Sequence, residues 1–421
     1  MTATCARPAG IDARRWPDIV SVPHNACRAA AARALVRHAL RGLPLRVSGP
    51  DGWALGSGTG ADPLLRLRRP DDFYHRLGAG GLIGFGEAFM AGDWDSGDGD
   101  ALVALLTVLA ARLDTLVPPW LQRLRNVALA HRPVSQDNTP AGARANIRWH
   151  YDLSNELFAL FLDESMTYSA ALFTDSPAGS TESLAAAQRH KIDRLLDAAG
   201  VRAGSRVLEI GTGWGELAIR AAARGARVST ITISTEQARL ARERVAAAGF
   251  GGRVEVRLAD YRELRGQFDA VLSVEMIEAV GANHWQEYFT AIERLLAPGG
   301  RAALQAITMP HERMLASCES YTWIVKYIFP GGQIPSVPAI ESHAVAAGLR
   351  VGSRLMFGAH YAETLRRWRV AFDEHTDAVA RLGFDDTFQA MWRLYLAYSE
   401  AGFRSGYLDV AQVALTKPAG P

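Results

Sequence analysis

Hydrophobic and polar positions change period along the chain, and those changes mark its elements. From about residue 145 the pattern is regular. Short apolar runs at 206–210, 226–231, 253–258, 268–274 and 301–307 alternate with segments of helical spacing. Two further helical segments, around 154–162 and 182–199, precede the first run. Asp269 to Val274 is apolar almost throughout, as expected of a strand covered on both faces. Such alternation predicts an α/β fold with a parallel, doubly wound sheet. Late strands at 349–356 and 408–416 flank a helical insertion over 361–402 and bring the sheet to seven strands.

The first third reads differently. Residues 1 to about 25 carry Pro8, Pro17 and Pro23 and little periodicity. Residues 28–41 form a helix with Leu35, Val36, Ala39 and Leu40 on one side and Arg33, Arg37 and Arg41 on another. That basic face suits an anionic membrane, and equally the solvated side of an ordinary domain helix. Short β pieces follow at Leu45–Val47 and Leu64–Leu67, then a glycine-dense stretch, 78–94, holding Phe85, Phe89 and Trp94. Its glycines suggest backbone packed closely against an acyl chain, with simple turns as the alternative. A helix over roughly 100–113 and a proline-rich linker complete this part. The expected division is a smaller N-terminal α+β domain at 1–130, a linker at 131–147 and a catalytic domain at 148–421.

Composition narrows the function. The chain has 421 residues, 48% of them hydrophobic, so a sizeable core is within reach. Its net charge of +2 argues against a general nucleic-acid binder. The cations are almost all Arg, with Lys only at 191, 326 and 417. Cys5, Cys27 and Cys318 are too few and too scattered for a disulfide framework or a metal site. No signal-like segment opens the chain, and no run approaches the roughly 18 apolar residues of a spanning helix. A soluble protein of a reducing compartment is expected.

The chemistry concentrates at strand ends. In Arg206-Val-Leu-Glu-Ile-Gly-Thr-Gly-Trp-Gly-Glu216 a buried-strand run meets three alternating glycines and then a helix. This is the first βα turn of a nucleotide-binding sheet, where backbone N–H groups approach a ligand unobstructed. A dinucleotide fingerprint places its third small residue where Glu216 stands, and the second strand ends in Thr232-Ile-Ser-Thr without a ribose-binding carboxylate. The reading is S-adenosylmethionine, not NAD. Candidate cofactor contacts are Glu209, Gly211, Gly213, Trp214 and Gly215 from the first strand and Thr232, Ser234 and Gln237 from the second. Asp260, Tyr261 and Arg262 from the third join them. Glu278, just past the fourth strand amid Met276, Ile277 and Val280, is costly to bury alone, so it has a partner or a task. A helix-start carboxylate is the plainer reading. Tyr168, Trp214 and Tyr361 could face a sulfonium or a carbocation with their rings, although a lone aromatic is more often core.

These residues add up to a resemblance. From about residue 78 onward the chain resembles the cyclopropane-fatty-acyl-phospholipid synthase and mycolic-acid cyclopropane synthase family. The matching stretches are 84–94, HYDLSN (150–155), Met166-Thr-Tyr-Ser169, EIGTGWGE (209–216), TISTEQ (232–237), DYRE (260–263), Glu278, KYIFPGG (326–332) and Phe357-Gly-Ala-His-Tyr361. Within that family it looks most like the methyltransferases that make 10-methyl-branched, tuberculostearate-type chains from oleoyl phospholipids. SVEMIEAVG (273–281), QAITMPH (305–311) and YSEAGFRSGYLDV (398–410) are the cues.

The resemblance implies a class I methyltransferase fold with an N-terminal lipid- and membrane-binding domain. It gives Tyr168 and Ser169, with the turn 211–215, 232–237 and Tyr261-Arg262, to the cofactor. It also implies a bound bicarbonate that takes a proton, held by Glu278, Ile307 and Tyr361, with Ala170 and Gln305 standing where the synthases have Cys and His. The implied catalytic set is therefore Glu278, Tyr361, Gln305 and Ile307, with no metal. Apolar KYIFPGG is a candidate acyl-channel lid.

Methylation of a cis double bond leaves a carbocation. A hydride shift then gives a methylene branch, whereas direct deprotonation closes a cyclopropane. Reducing the methylene needs a hydride, and no second dinucleotide motif is visible, so a separate flavin- or NADPH-dependent reductase is expected. Membrane phospholipid acyl chains are the expected partners, at the inner membrane surface of the cytoplasm, and homodimers are common in the family. A lipid- or cofactor-binding module without turnover is the rival from another class. A small-molecule or nucleic-acid methyltransferase leaves the N-terminal part unexplained.

Overall fold

The structure, a computed structural model, describes residues 10–40, 42–112, 154–318 and 320–420. The stretch expected to be a linker, 131–147, and the start of HYDLSN lie outside them, as does Arg41. The described residues fall into two compact units. One takes those of Met1–Arg132 together with Ser320–Ile328 and Trp368–Tyr407; the other takes those of Pro133–Glu319, Phe329–Arg367 and Leu408–Pro421.

The first unit carries a four-stranded sheet of β1 (Arg46–Ser48), β2 (Ala54–Leu55), β3 (Leu64–Leu67) and β4 (Trp94–Asp95), in the order β2-β1-β3-β4. Helices Ala26–Leu40, Pro70–Gly80, Leu82–Met90 and Gly99–Ala111 belong to it, as do Trp323–Tyr327, Thr376–Arg381 and Asp386–Arg404. Its glycine-dense stretch is helical, not looped. A Cβ on Gly84 would lie 1.9 Å from the Arg76 carbonyl oxygen, and one on Gly86 2.4 Å from the Trp323 ring. Those glycines therefore let protein pack on protein, and the acyl-chain reading of them does not hold. Phe85 and Phe89 lie tilted against Trp94, with ring centroids 4.5 and 4.9 Å away. Of the basic face, Arg33 bonds Asp71 at 2.9 Å and lies 4.8 Å from the Tyr74 ring centroid.

The second unit is built on β5 (Arg206–Ile210), β6 (Arg227–Thr232), β7 (Val254–Leu258), β8 (Phe268–Val274), β9 (Leu296–Thr308), β10 (Arg350–Met356) and β11 (Asp409–Thr416). Their order is β10-β11-β9-β8-β5-β6-β7, the seven-stranded sheet that the alternation predicts. β9, β8, β5, β6 and β7 run parallel, while β11 lies antiparallel between β9 and β10. Apolar side chains cover both faces: Leu195, Leu196, Ala218 and Val245 on one, Phe289, Ile292, Leu295 and Ile340 on the other. β9 begins five residues before the expected 301, because Leu296 already pairs with Phe268. The Pro-Gly-Gly that reads as a loop only shifts the register before Arg301 pairs with Ala270. Serine caps start two of the helices on this sheet, Leu184–Ala198 and Thr235–Ala247; the Ser183 and Ser234 hydroxyls accept from Ala186 N and Gln237 N.

Candidate active site

The carboxyl ends of β5, β6 and β7 carry the expected cofactor residues. Gly211, Gly213 and Gly215 all have left-handed backbone, with φ of 96°, 51° and 92°. A Cβ on Gly211 would strike Met276 Sδ at 2.6 Å, whereas one on Gly213 would meet nothing within 4 Å. One glycine is thus required by packing and the next borders open space, which fits a cofactor laid against the turn. Glu216, in the first turn of the following helix, accepts from Arg244 at 3.1 Å. Its charge is partnered, so the turn's spacing, not a bare carboxylate, is what disfavours a pyrophosphate.

Around that turn Trp214 donates to Asn155 at 2.7 Å, and its ring lies 5.0 Å from Phe158. Phe158 also meets Tyr168 at 5.1 Å. Thr232 donates to the Gln237 side-chain Oε1 at 2.9 Å, and Ser234 caps the helix that carries Gln237. Asp260 is held by Arg262 through two side-chain bonds of 2.9 and 2.7 Å, so its carboxylate is less free for an adenine amine than the sequence suggests. Tyr261 is buried edge-on against Tyr288. Glu209, fully inside the sheet, accepts the Thr230 hydroxyl at 2.5 Å; burial pushes its carboxyl up to about 8.

The carboxyl ends of β8 and β9 gather the rest. Glu278 Oε1 accepts the Ile307 backbone N–H, while its buried Oε2 has no partner among the described residues. Burial first, and the neighbouring Glu275 charge second, raise its carboxyl to about 8. Tyr361 and Gln305 both bond to Glu275: the Tyr361 hydroxyl donates to Oε2 at 2.8 Å and the Gln305 amide to Oε1 at 2.8 Å. Ala170 N–H donates to the same Oε1 at 2.9 Å.

Glu275 has φ 51°, and with Met166 (φ 53°) it is one of two such non-glycine residues among those described. Left-handed backbone there costs about 1 kcal/mol or more and persists because the bonds around it over-determine the conformation.

Sequence reasoning left Glu275 without a role, and it missed three supporting residues entirely. Arg194 only donates, and it donates to Gln412 Oε1 at 2.5 Å. The Gln412 amide must then face Gln305 Oε1, at 3.0 Å, which turns the Gln305 amide onto Glu275. Lys191, wholly buried, donates to Ser169 Oγ at 2.7 Å. Burial lowers its ammonium to about 8, and the charges of Glu275, Asp163 and Glu209 oppose that fall. The available signal was a lysine, one of three in the chain, lying within an apolar helical stripe.

A bicarbonate ion does not fit this arrangement. Of its five implied holders, Ala170, Gln305 and Tyr361 converge on Glu275, and Ile307 bonds Glu278. Among the described residues no cluster of His, Cys, Asp and Glu could hold a metal ion.

Comparison with known proteins gives the family. A family model described as mycolic acid cyclopropane synthetase matches residues 139–413. The chain is 56% identical over 420 residues, 98% of each, to the tuberculostearic acid methyltransferase UfaA1 of Mycobacterium tuberculosis. It is 33% identical over 373 residues to the cyclopropane-fatty-acyl-phospholipid synthase of Escherichia coli K12, covering 87% of this chain and 90% of that one. The solved mycolic acid cyclopropane synthase CmaA1, complexed with SAH and CTAB, superposes with a TM-score of 0.60 at 31% identity. That likeness covers 65% of this chain and 98% of the other.

Proposed function

Since the chain belongs to the mycolic acid cyclopropane synthetase family, we propose how its sheet rim methylates the double bond of a lipid. The protein is an S-adenosylmethionine-dependent methyltransferase. Its substrate is the cis double bond of an oleoyl-type phospholipid chain, and its product a 10-methylene branch that becomes the tuberculostearate-type 10-methyl branch. The observation that carries this reading is the pair of buried carboxylates, Glu275 and Glu278, at the rim that also holds the glycine turn. Carboxyl oxygens held beside a cofactor cleft offer their lone pairs to a cationic reaction path.

The cofactor supplies an electrophilic methyl group on a sulfonium. Gly213 and Gly215 give it backbone to lie against, and Tyr168 and Trp214 offer ring faces to positive charge. Thr232, Ser234, Gln237 and Asp260 to Arg262 line the strand ends where its ribose and base would rest. Glu278 keeps an unpartnered oxygen that stabilises a lipid carbocation, while apolar Ile277, Val280 and Ile307 keep out the water that would quench it. The N-terminal unit binds the lipid surface, which places the protein on the cytoplasmic face of the membrane. No helix among the described residues is long and apolar enough to cross it. A separate flavin- or NADPH-dependent reductase supplies the hydride that saturates the methylene.

The test is to incubate purified protein with S-adenosylmethionine and oleoyl phospholipid and to analyse the acyl chains. Methylene and ring products have equal mass, so ozone, which cleaves only the alkene, separates them. Ozone-sensitive chains are expected. Ozone-resistant chains would make the enzyme a cyclopropane synthase.

A further inference from the structure

Glu275 has no step assigned to it in the methyl transfer just outlined, yet the rim is built around it. Its Oε1 takes Ala170 N–H and the Gln305 amide, and its Oε2 takes the Tyr361 hydroxyl. A carboxylate has about four lone-pair sites, so one on Oε2 stays open. The Arg194–Gln412 chain fixes the Gln305 amide toward it, and its backbone is held in a conformation that few side chains accept. These donors stand at positions that the family resemblance gives to a bicarbonate ion. The other two, Glu278 and Ile307, bond to each other.

We propose that the Glu275 carboxylate is itself the proton-accepting base of this enzyme and takes the place of a dissociable bicarbonate. The inference rests on the function proposed above. The alkene π pair forms the new C–C bond as the methyl–sulfur bond breaks, its electron pair staying on sulfur. A hydride moves from the methylated carbon to its neighbour, which puts the positive charge on the more substituted carbon. A C–H pair of the added methyl then becomes the methylene double bond, and the proton goes to Glu275 Oε2. No oxidant or co-reactant is needed. Burial raises the Glu275 carboxyl above its usual range, which brings it closer to the working pH of a base. The Lys191 charge and the three donors keep it ionisable.

The test uses the full-length enzyme, S-adenosylmethionine and oleoyl phospholipid vesicles. Wild type is assayed in carbonate-stripped, argon-purged buffer and again with bicarbonate added. Glu275→Gln is assayed alongside, with calorimetric binding of S-adenosylhomocysteine as the check on its fold. The expected result is a wild-type rate indifferent to bicarbonate and a Glu275→Gln rate lower by about 100-fold with unchanged cofactor affinity. Two results overturn the proposal: a wild-type rate lost on stripping and regained with bicarbonate, or a Glu275→Gln enzyme that keeps most of its turnover. If Glu275→Gln does not bind the cofactor product, the wild-type response to bicarbonate decides alone. A wild type that methylates no lipid in either buffer would sink the proposed function, a failure distinct from these.

Discussion

At the residue scale the left-handed glycines separate packing from binding. Gly211→Ala puts a methyl against Met276 in disfavoured backbone and should cost about 2 kcal/mol or more, read as a lower Tm. Gly213→Ala faces open space, so it should cost only about 1 kcal/mol of stability while weakening calorimetric S-adenosylmethionine binding. Glu278 gives a pH signature. Its folded carboxyl titrates near 8 and its unfolded one near 4.5, so the folded state holds the extra proton between them. Its contribution to stability is full below the unfolded value and is lost as pH rises toward 8. Glu278→Gln lacks that loss, so its Tm relative to wild type should climb from pH 5 to pH 8; a flat difference would contradict the burial argument.

Of the catalytic residues expected from sequence, Gln305 and Tyr361 do converge, but on Glu275. That convergence joins residues 30 and 86 positions apart, and a side-chain direction set by one left-handed residue leaves no period in the sequence.

At the scale of elements, strands were legible wherever a two-faced apolar run ended at a turn, as in β5, β6 and β8. The start of β9 was not, because Pro-Gly-Gly signals a loop while Leu296 still finds a partner on β8. Nor was the role of the helical glycines, since only the neighbouring helix shows that Gly84 sits on the Arg76 backbone. Gly84→Ala should therefore destabilise by at least about 2 kcal/mol in thermal unfolding, and an unchanged Tm would contradict that packing. The link from Arg194 to β11 to β9 predicts a kinetic effect. Gln412→Leu removes the acceptor and donor that orient Gln305, so kcat should fall about ten-fold with cofactor affinity kept.

At the scale of the whole molecule, the order of the large sheet followed from the alternation of strand and helix. The make-up of the N-terminal unit did not, because Ser320–Ile328 and Trp368–Tyr407 join it from far along the chain. Lys326 and Tyr327, in the segment read as a lid, bond Glu87 within that unit at 2.6 and 2.9 Å. No sequence pattern announces a contact across more than two hundred residues.

The central claim is that this rim methylates an alkene and lets a hydride move before the proton leaves. It is tested most directly with oleoyl phospholipid deuterated at both alkene carbons, followed by NMR of the methylated chain. The account predicts an exocyclic methylene with both deuterons on the single carbon beside the branch. A product that keeps one deuteron on each original alkene carbon, joined in a ring, would contradict it.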